Sequence, residues 1–254
     1  MSTPVVQRRA RLIEYMPWVF RDYLTNQGPS TALVVLLIGF MMVLPVYHGL
    51  VGTSRDGRVS PVVASRLLRE LAVPLAFLGT FFATNGLVSN DRKHGYFRFL
   101  FAKPVRPPQY YALTFLVYGL GLLLVTAVML GAWSLVIRPM FPAELFAVVA
   151  IMYLAYGGIG FVLSAAWRFD WLSLVTVLLV ANFAWSVWGT STSPAHWLLY
   201  LLPPVHRAND VYALISRDAN VALDWSSMAW LAGYGLTCFL LGLVVLRRRA
   251  LGTS

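Results

Sequence analysis

The stretch Tyr110–Ile137, YYALTFLVYGLGLLLVTAVMLGAWSLVI, holds no Asp, Glu, Lys or Arg. A helix rises about 1.5 Å per residue, so about 20 apolar residues cross the roughly 30 Å of bilayer hydrocarbon. This run exceeds that length. Charge-free intervals of the same kind lie on both sides of it. Upstream are Thr31–Leu50, within a longer interval between Asp22 and Arg55, and Leu71–Asn90, between Glu70 and Asp91. Downstream are Leu145–Ala166, Trp171–Trp188 and Met228–Leu246, of which Trp171–Trp188 only just reaches across. The pattern predicts an all-α polytopic membrane protein with six transmembrane helices and both termini on one side.

Composition agrees. The chain has 254 residues, of which 59% are hydrophobic and 12% charged, whereas soluble domains carry about 25% charge. So few charges cannot cover the surface of a soluble fold of this size, and disorder is excluded by the same apolar excess. The single cysteine, Cys238, rules out a disulfide framework and a cysteine zinc site, each of which needs partners. It reads as a small packing residue.

The net charge of +10 is explained by orientation rather than by nucleic acid. One side of the six spans holds thirteen Lys/Arg: Arg8, Arg9, Arg11, Arg21, Arg92, Lys93, Arg98, Lys103, Arg106, Arg168, Arg247, Arg248 and Arg249. The other holds seven: Arg55, Arg58, Arg66, Arg69, Arg138, Arg207 and Arg217. The positive-inside rule then places both termini in the cytoplasm of a cell-membrane protein. Trp133, Trp185, Trp188, Trp197, Trp225 and Trp230 fall near the expected outer surface, where indole is favoured.

Before the first span, Leu12, Ile13, Met16, Val19, Phe20, Tyr23 and Leu24 recur at helical spacing, largely opposite Arg8, Arg9, Arg11, Glu14, Arg21 and Asp22. Residues 1–30 are therefore expected to carry an amphipathic helix in the cytoplasmic interface, kinked or started late by Pro17. A disordered basic tail is the alternative. The first apolar run begins too far in, and is too long, to be a cleaved signal peptide. Residues 31–246 hold the six spans of a single domain and 247–254 a cytoplasmic tail. On the outer side, Gly189–Ser227 contains a short apolar stretch, Trp197–Leu202, ended by Pro203-Pro204. It is too short to span and fits a re-entrant or surface helix.

Catalytic signatures are scarce. The sequence has no Gly-x-Ser-x-Gly elbow, no His-Glu-x-x-His and no phosphate-cradling glycine loop. Ser191 and Ser193 near His196 read as part of a turn. His48, His196 and His206 could meet on the outer face, but no ligand spacing links them. The span cores lack the ionisable groups that mark proton relays and ion coupling. Energy for any transport is therefore expected to enter from outside the membrane domain.

The loop after the second span is the informative segment: Asn90-Asp-Arg-Lys-His-Gly-Tyr-Phe-Arg-Phe-Leu-Phe-Ala-Lys-Pro-Val-Arg-Pro-Pro-Gln-Tyr-Tyr111. It combines five cations with the apolar cluster Tyr96, Phe97, Phe99, Leu100 and Phe101, and Pro104, Pro107 and Pro108 turn it rigidly into the third span. So aromatic a cytoplasmic loop either lies on lipid headgroups or docks in a partner's groove.

Asp91-Arg92, then Gly95, then Phe99-Leu100, then Lys103-Pro104-Val105-Arg106 directly before the third span resembles the ABC-2 family of ABC-transporter permeases. Where that family often has a Gly-Lys pair at the start of the third span, Tyr111-Ala-Leu-Thr stands here. The resemblance covers nearly the whole chain: leading amphipathic helix, six spans, basic loop after the second, and a proline-bearing outer segment before the sixth. It implies the membrane subunit of an ATP-driven transporter, an exporter, paired with an identical or related subunit. It also implies a separate cytoplasmic ATPase, which supplies ATP and Mg²⁺ chemistry; no cofactor is implied for this chain. The residues that would couple to that ATPase are Asp91, Arg92, Gly95, Phe97, Arg98, Leu100, Phe101, Pro104 and Arg106. A subunit exporting haem or another cofactor, and an intramembrane enzyme or electron carrier, are the other readings weighed.

Overall fold

The structure, a computed structural model, describes residues 12–47, 59–85, 87–88, 91, 106–137, 142–167, 170–189, 194–216 and 225–248. Among these the chain is helical, with no extended strand. Five helices are long and apolar enough to cross a membrane, and Leu172–Trp188 is a shorter apolar one. The chain is thus a multi-pass membrane protein whose described residues are helical.

A 3-10 turn, Leu12–Tyr15, leads into α1 (Met16–Asp22), a π turn (Tyr23–Gln27) and α2 (Gly28–Tyr47). Pro17 sits in the first turn of α1, where its missing N–H has no partner to lose, so the helix starts late instead of kinking. The residues flanking the π turn keep right-handed helical angles. The leading helix therefore runs into the first span without a break. Val19 and Tyr23, one turn apart, are its buried face, whereas Met16, Trp18 and Leu24 are exposed.

α3 (Pro61–Thr84) starts where the Ser60 side chain accepts from the Val63 N–H at 3.3 Å. It begins ten residues ahead of the expected Leu71, because Pro61 and this cap suit a helix start while Arg66, Arg69 and Glu70 do not prevent one. α4 (Pro107–Val136) opens on two prolines in its first turn. α5 (Ala143–Met152), a π turn (Tyr153–Gly157) and α6 (Gly158–Ala166) form the fourth long helix, and α7 (Asp170–Trp188) is the shorter apolar one. After 3-10 turns at Pro194–Leu201 and Val205–Arg207 come α8 (Ala208–Tyr212), a 3-10 turn (Ala213–Ser216) and α9 (Trp225–Arg248).

Of the two forms expected for Trp197–Leu202, the surface helix is found, and it is the stretch after it that packs into the bundle. Trp197, Leu198, Tyr200 and Leu201 are exposed, whereas Pro203, Pro204, Ala208, Val211, Tyr212, Leu214 and Ile215 are buried. Its end packs on α3 and α5. The prolines end the 3-10 helix, as expected, and the apolar residues that follow supply the inward contact.

Two glycines on opposite sides of α4 are filled by aromatic rings. A Cβ at Gly121 would strike the Tyr23 ring, and one at Gly119 the Tyr153 ring. Each tyrosine opens a π turn, one in the first long helix and one in the fourth. α4 is thereby clamped between them. Gly131, by contrast, faces open space, so it brings no helix close. Phe115 of α4 stacks on Phe239 of α9 at 4.5 Å between centroids and lies 4.8 Å from Tyr153. The Tyr153 hydroxyl donates to the Phe115 carbonyl at 2.6 Å. Nearby, α6 and α9 cross backbone to backbone: a Cβ at Gly158 would run into the Gly235 carbonyl, and one at Gly235 into the Leu154 carbonyl. Glycine removes the side chains that would hold these helices apart. Trp133, expected at the outer interface, is 5% exposed, and Trp188, Trp197, Trp225 and Trp230 carry the exposed indoles instead.

Candidate functional site at the root of the loop

Of the loop, the structure describes Asp91 and Arg106. Arg92, Gly95, Phe97, Arg98, Leu100, Phe101 and Pro104 lie outside the described residues. Both described positions join helix α4. Arg106 is its exposed N-terminal cap residue, and its carbonyl accepts from Gln109 and Tyr110 N–H at 3.0 and 3.1 Å. The Tyr111 hydroxyl donates to a carboxylate oxygen of Asp91 at 3.0 Å. The two ends of the loop are thus gathered at the first turn of the third span.

Two helical turns further along α4, on the same face, Tyr118 donates to Asp22 at 2.8 Å. Asn26 Nδ2 donates to the other carboxylate oxygen of Asp22, also at 2.8 Å. The spacing of seven residues between Tyr111 and Tyr118 puts both hydroxyls on one stripe. The Tyr23 and Tyr118 rings lie 5.2 Å apart, and those of Tyr110 and Tyr111 5.3 Å. One helix face therefore holds the root of the loop through Tyr111 and the leading helix through Tyr118. A phenol-to-carboxylate hydrogen bond is charge-assisted and stronger than a neutral one. It is also directional and reversible, unlike packing against glycine.

Behind Asp91, the Val88 N–H donates to Ser164 Oγ of α6 at 3.2 Å. The short turn after α3 is thereby tied to the end of the fourth long helix as well. Of the buried threonines here, Thr114 donates to the Tyr110 carbonyl and Thr84 to the Thr80 carbonyl, whereas the Thr80 hydroxyl has no partner among the described residues. Among the described residues, no group of three His, Cys, Asp or Glu is close enough to hold a metal ion.

Asp22, Tyr110, Tyr111 and Tyr118 were not among the sequence candidates. The readable signal was the tyrosine pair directly after Pro107-Pro108, with a third tyrosine seven residues on. Of the histidines, His48 and His94 lie outside the described residues, as does the His196 side chain. His206 stacks on Trp185 at 3.9 Å. Burial, and then the neighbouring Arg207 charge, lower its pKa from the ordinary 6.5, against an opposing pull from Asp210. No known protein family, no curated protein and no solved structure matches this chain.

Proposed function

We propose that the chain is the membrane subunit of an ATP-driven ABC transporter of the ABC-2 type, an exporter whose six spans pair with a second permease subunit. Its Asp91–Arg106 loop docks on a separate cytoplasmic ATPase, which binds ATP and Mg²⁺. The reading rests on the sequence pattern of that loop. The observation that supports it best is the hydrogen bond from Tyr111 to Asp91, beside that from Tyr118 to Asp22. A docking loop transmits force only if its root is attached to a span, and here two spans converge on one tyrosine-bearing face.

The mechanism follows from that attachment. ATP draws the two ATPase subunits together and pulls on the loops. The displacement reaches α4 through Asp91 and Tyr111, and the first span through Tyr118 and Asp22. The pathway between the two permease subunits then changes from inward-open to outward-open, a rigid-body transition biased by nucleotide. The excess of cations on the loop side gives the orientation, with both termini cytoplasmic.

The test is co-purification. Phe97 and Phe101 are the loop's aromatic anchors, and losing such anchors costs about 2 kcal/mol or more each. Phe97→Ala with Phe101→Ala should abolish association with the ATPase while leaving membrane insertion intact. An unchanged yield of complex at matched expression would put the loop on lipid and remove the basis of the assignment.

A further inference from the structure

Asn182 lies on the exposed face of α7, in register with Leu179 and Ser186. Its carboxamide has no hydrogen-bond partner among the described residues. The neighbouring hydroxyls on this helix are satisfied internally: Thr176 on the Leu172 carbonyl at 2.8 Å and Ser186 on the Phe183 carbonyl at 2.8 Å. Asn182 is thus the polar group that the subunit leaves open on an otherwise apolar stripe.

Depth makes this costly. Asn182 is six residues, about 9 Å along the axis, inside Trp188, farther than an asparagine side chain reaches. The end above it is covered, since Trp185 packs on Tyr200 and His206 of the returning segment. Lipid tails offer neither donor nor acceptor, so a carboxamide facing them forfeits all its hydrogen bonds. Something polar must meet it at this depth.

We propose that two copies of this chain meet along α7, with the two Asn182 side chains hydrogen-bonded to each other across a two-fold axis parallel to the membrane normal. The inference rests on the reading of the chain as one of a pair of permease subunits, and it names a second copy as the partner. A carboxamide is donor and acceptor at once. Two copies related by such an axis present it at identical depth, so each satisfies the other; an isologous interface requires this kind of self-complementarity. Interhelical asparagine pairs hold transmembrane and coiled-coil helices in register for the same reason. Leu179 and Ser186 flank the contact with a small and a medium side chain that let the helices approach.

The lone cysteine permits a direct test. In a Cys238→Ala background, Asn182→Cys in native membranes should form a disulfide-linked dimer on mild oxidation, since bridging requires Cα atoms within about 7 Å. Leu179→Cys and Ser186→Cys should cross-link in part, and they answer the question if Asn182→Cys does not accumulate. Leu120→Cys on α4 and Leu240→Cys on α9, exposed elsewhere, serve as controls. Asn182→Leu should raise the dimer dissociation constant in detergent about 3- to 20-fold. Cross-linking at control level for 182, 179 and 186, in a protein whose mass in detergent is that of a dimer, would overturn this interface and leave the paired-subunit reading standing. A monomer in both detergent and membranes would overturn both.

Discussion

Where α6 crosses α9, backbone meets backbone at Gly158 and Gly235, and farther along Gly242 takes the edge of the Phe161 ring. Where the third span meets the leading helix and the turn after the second, side chains with polar ends join them, Tyr118 to Asp22 and Tyr111 to Asp91, beside the Tyr23 ring seated on Gly121. The first arrangement has one geometry, because backbone atoms in van der Waals contact cannot slide without opening a void or colliding. The second can break and reform as the helices shift by an ångström or two, since hydrogen bonds exchange partners at small net cost. On the function proposed above, a membrane subunit driven from one loop needs both: a fixed pillar, and a joint near the point where the force arrives.

The largest expected effect breaks the pillar. Gly158→Leu would drive a side chain into the Gly235 carbonyl and should cost at least about 3 kcal/mol, read as lost thermal stability in detergent and reduced membrane abundance. Gly233→Ala is the matched control. It sits on α9, two residues from Gly235, with nothing near its Cβ position, and should change stability by less than about 0.5 kcal/mol. Equal losses at the two positions would mean that close crossing is not what holds α6 and α9.

The joint should respond less. Asp22→Ala removes the acceptor of both Tyr118 and Asn26 and should cost about 1–3 kcal/mol. Tyr118→Phe should cost about 1 kcal/mol, since Asn26 still pairs with Asp22. A double-mutant cycle over the two should give a coupling energy above about 0.5 kcal/mol. A coupling of zero would mean the hydrogen bond does not tie the leading helix to α4.

The smallest effect lies in the returning segment around His206. His206 has its pKa lowered below 6.5 in the folded protein. The unfolded segment therefore binds more protons between that lowered value and 6.5, and docking of the returning segment is favoured above this window and weakened as pH falls through it. Amide protection over residues 203–216, taken relative to the intrinsic exchange rate at each pH, should fall below about pH 6.5, and His206→Gln should abolish the change. Protection that stays constant with pH in the unmodified protein would show that the contact with Trp185 does not depend on a neutral ring.

The spans were legible because hydrocarbon imposes one simple rule, and α4, the α5–α6 helix, α7 and α9 begin and end within three residues of the charge-free runs. α3 escaped that rule. Its first ten residues carry Arg66, Arg69 and Glu70, yet a capped helix continues beyond the apolar run at no penalty when its end is wet. The joint was illegible for another reason. Asp22 and Tyr118 are 96 residues apart, and no local pattern announces a contact that only the packing of α1 on α4 creates. Tyr111 fared similarly: it stood out as a departure from the permease pattern, and its partner is the first acidic residue of the loop. The glycines divided by what surrounds them, with Gly158 meeting backbone, Gly119 and Gly121 admitting tyrosine rings, and Gly131 meeting nothing.

The contrast between pillar and joint is tested most directly by amide hydrogen exchange on the chain bound to the proposed ATPase, with and without ATP. Exchange should change over residues 12–27 and 106–118 when nucleotide is added, and stay constant over 154–166 and 231–242. Equal changes in both regions, or a change confined to the glycine crossing, would contradict the account.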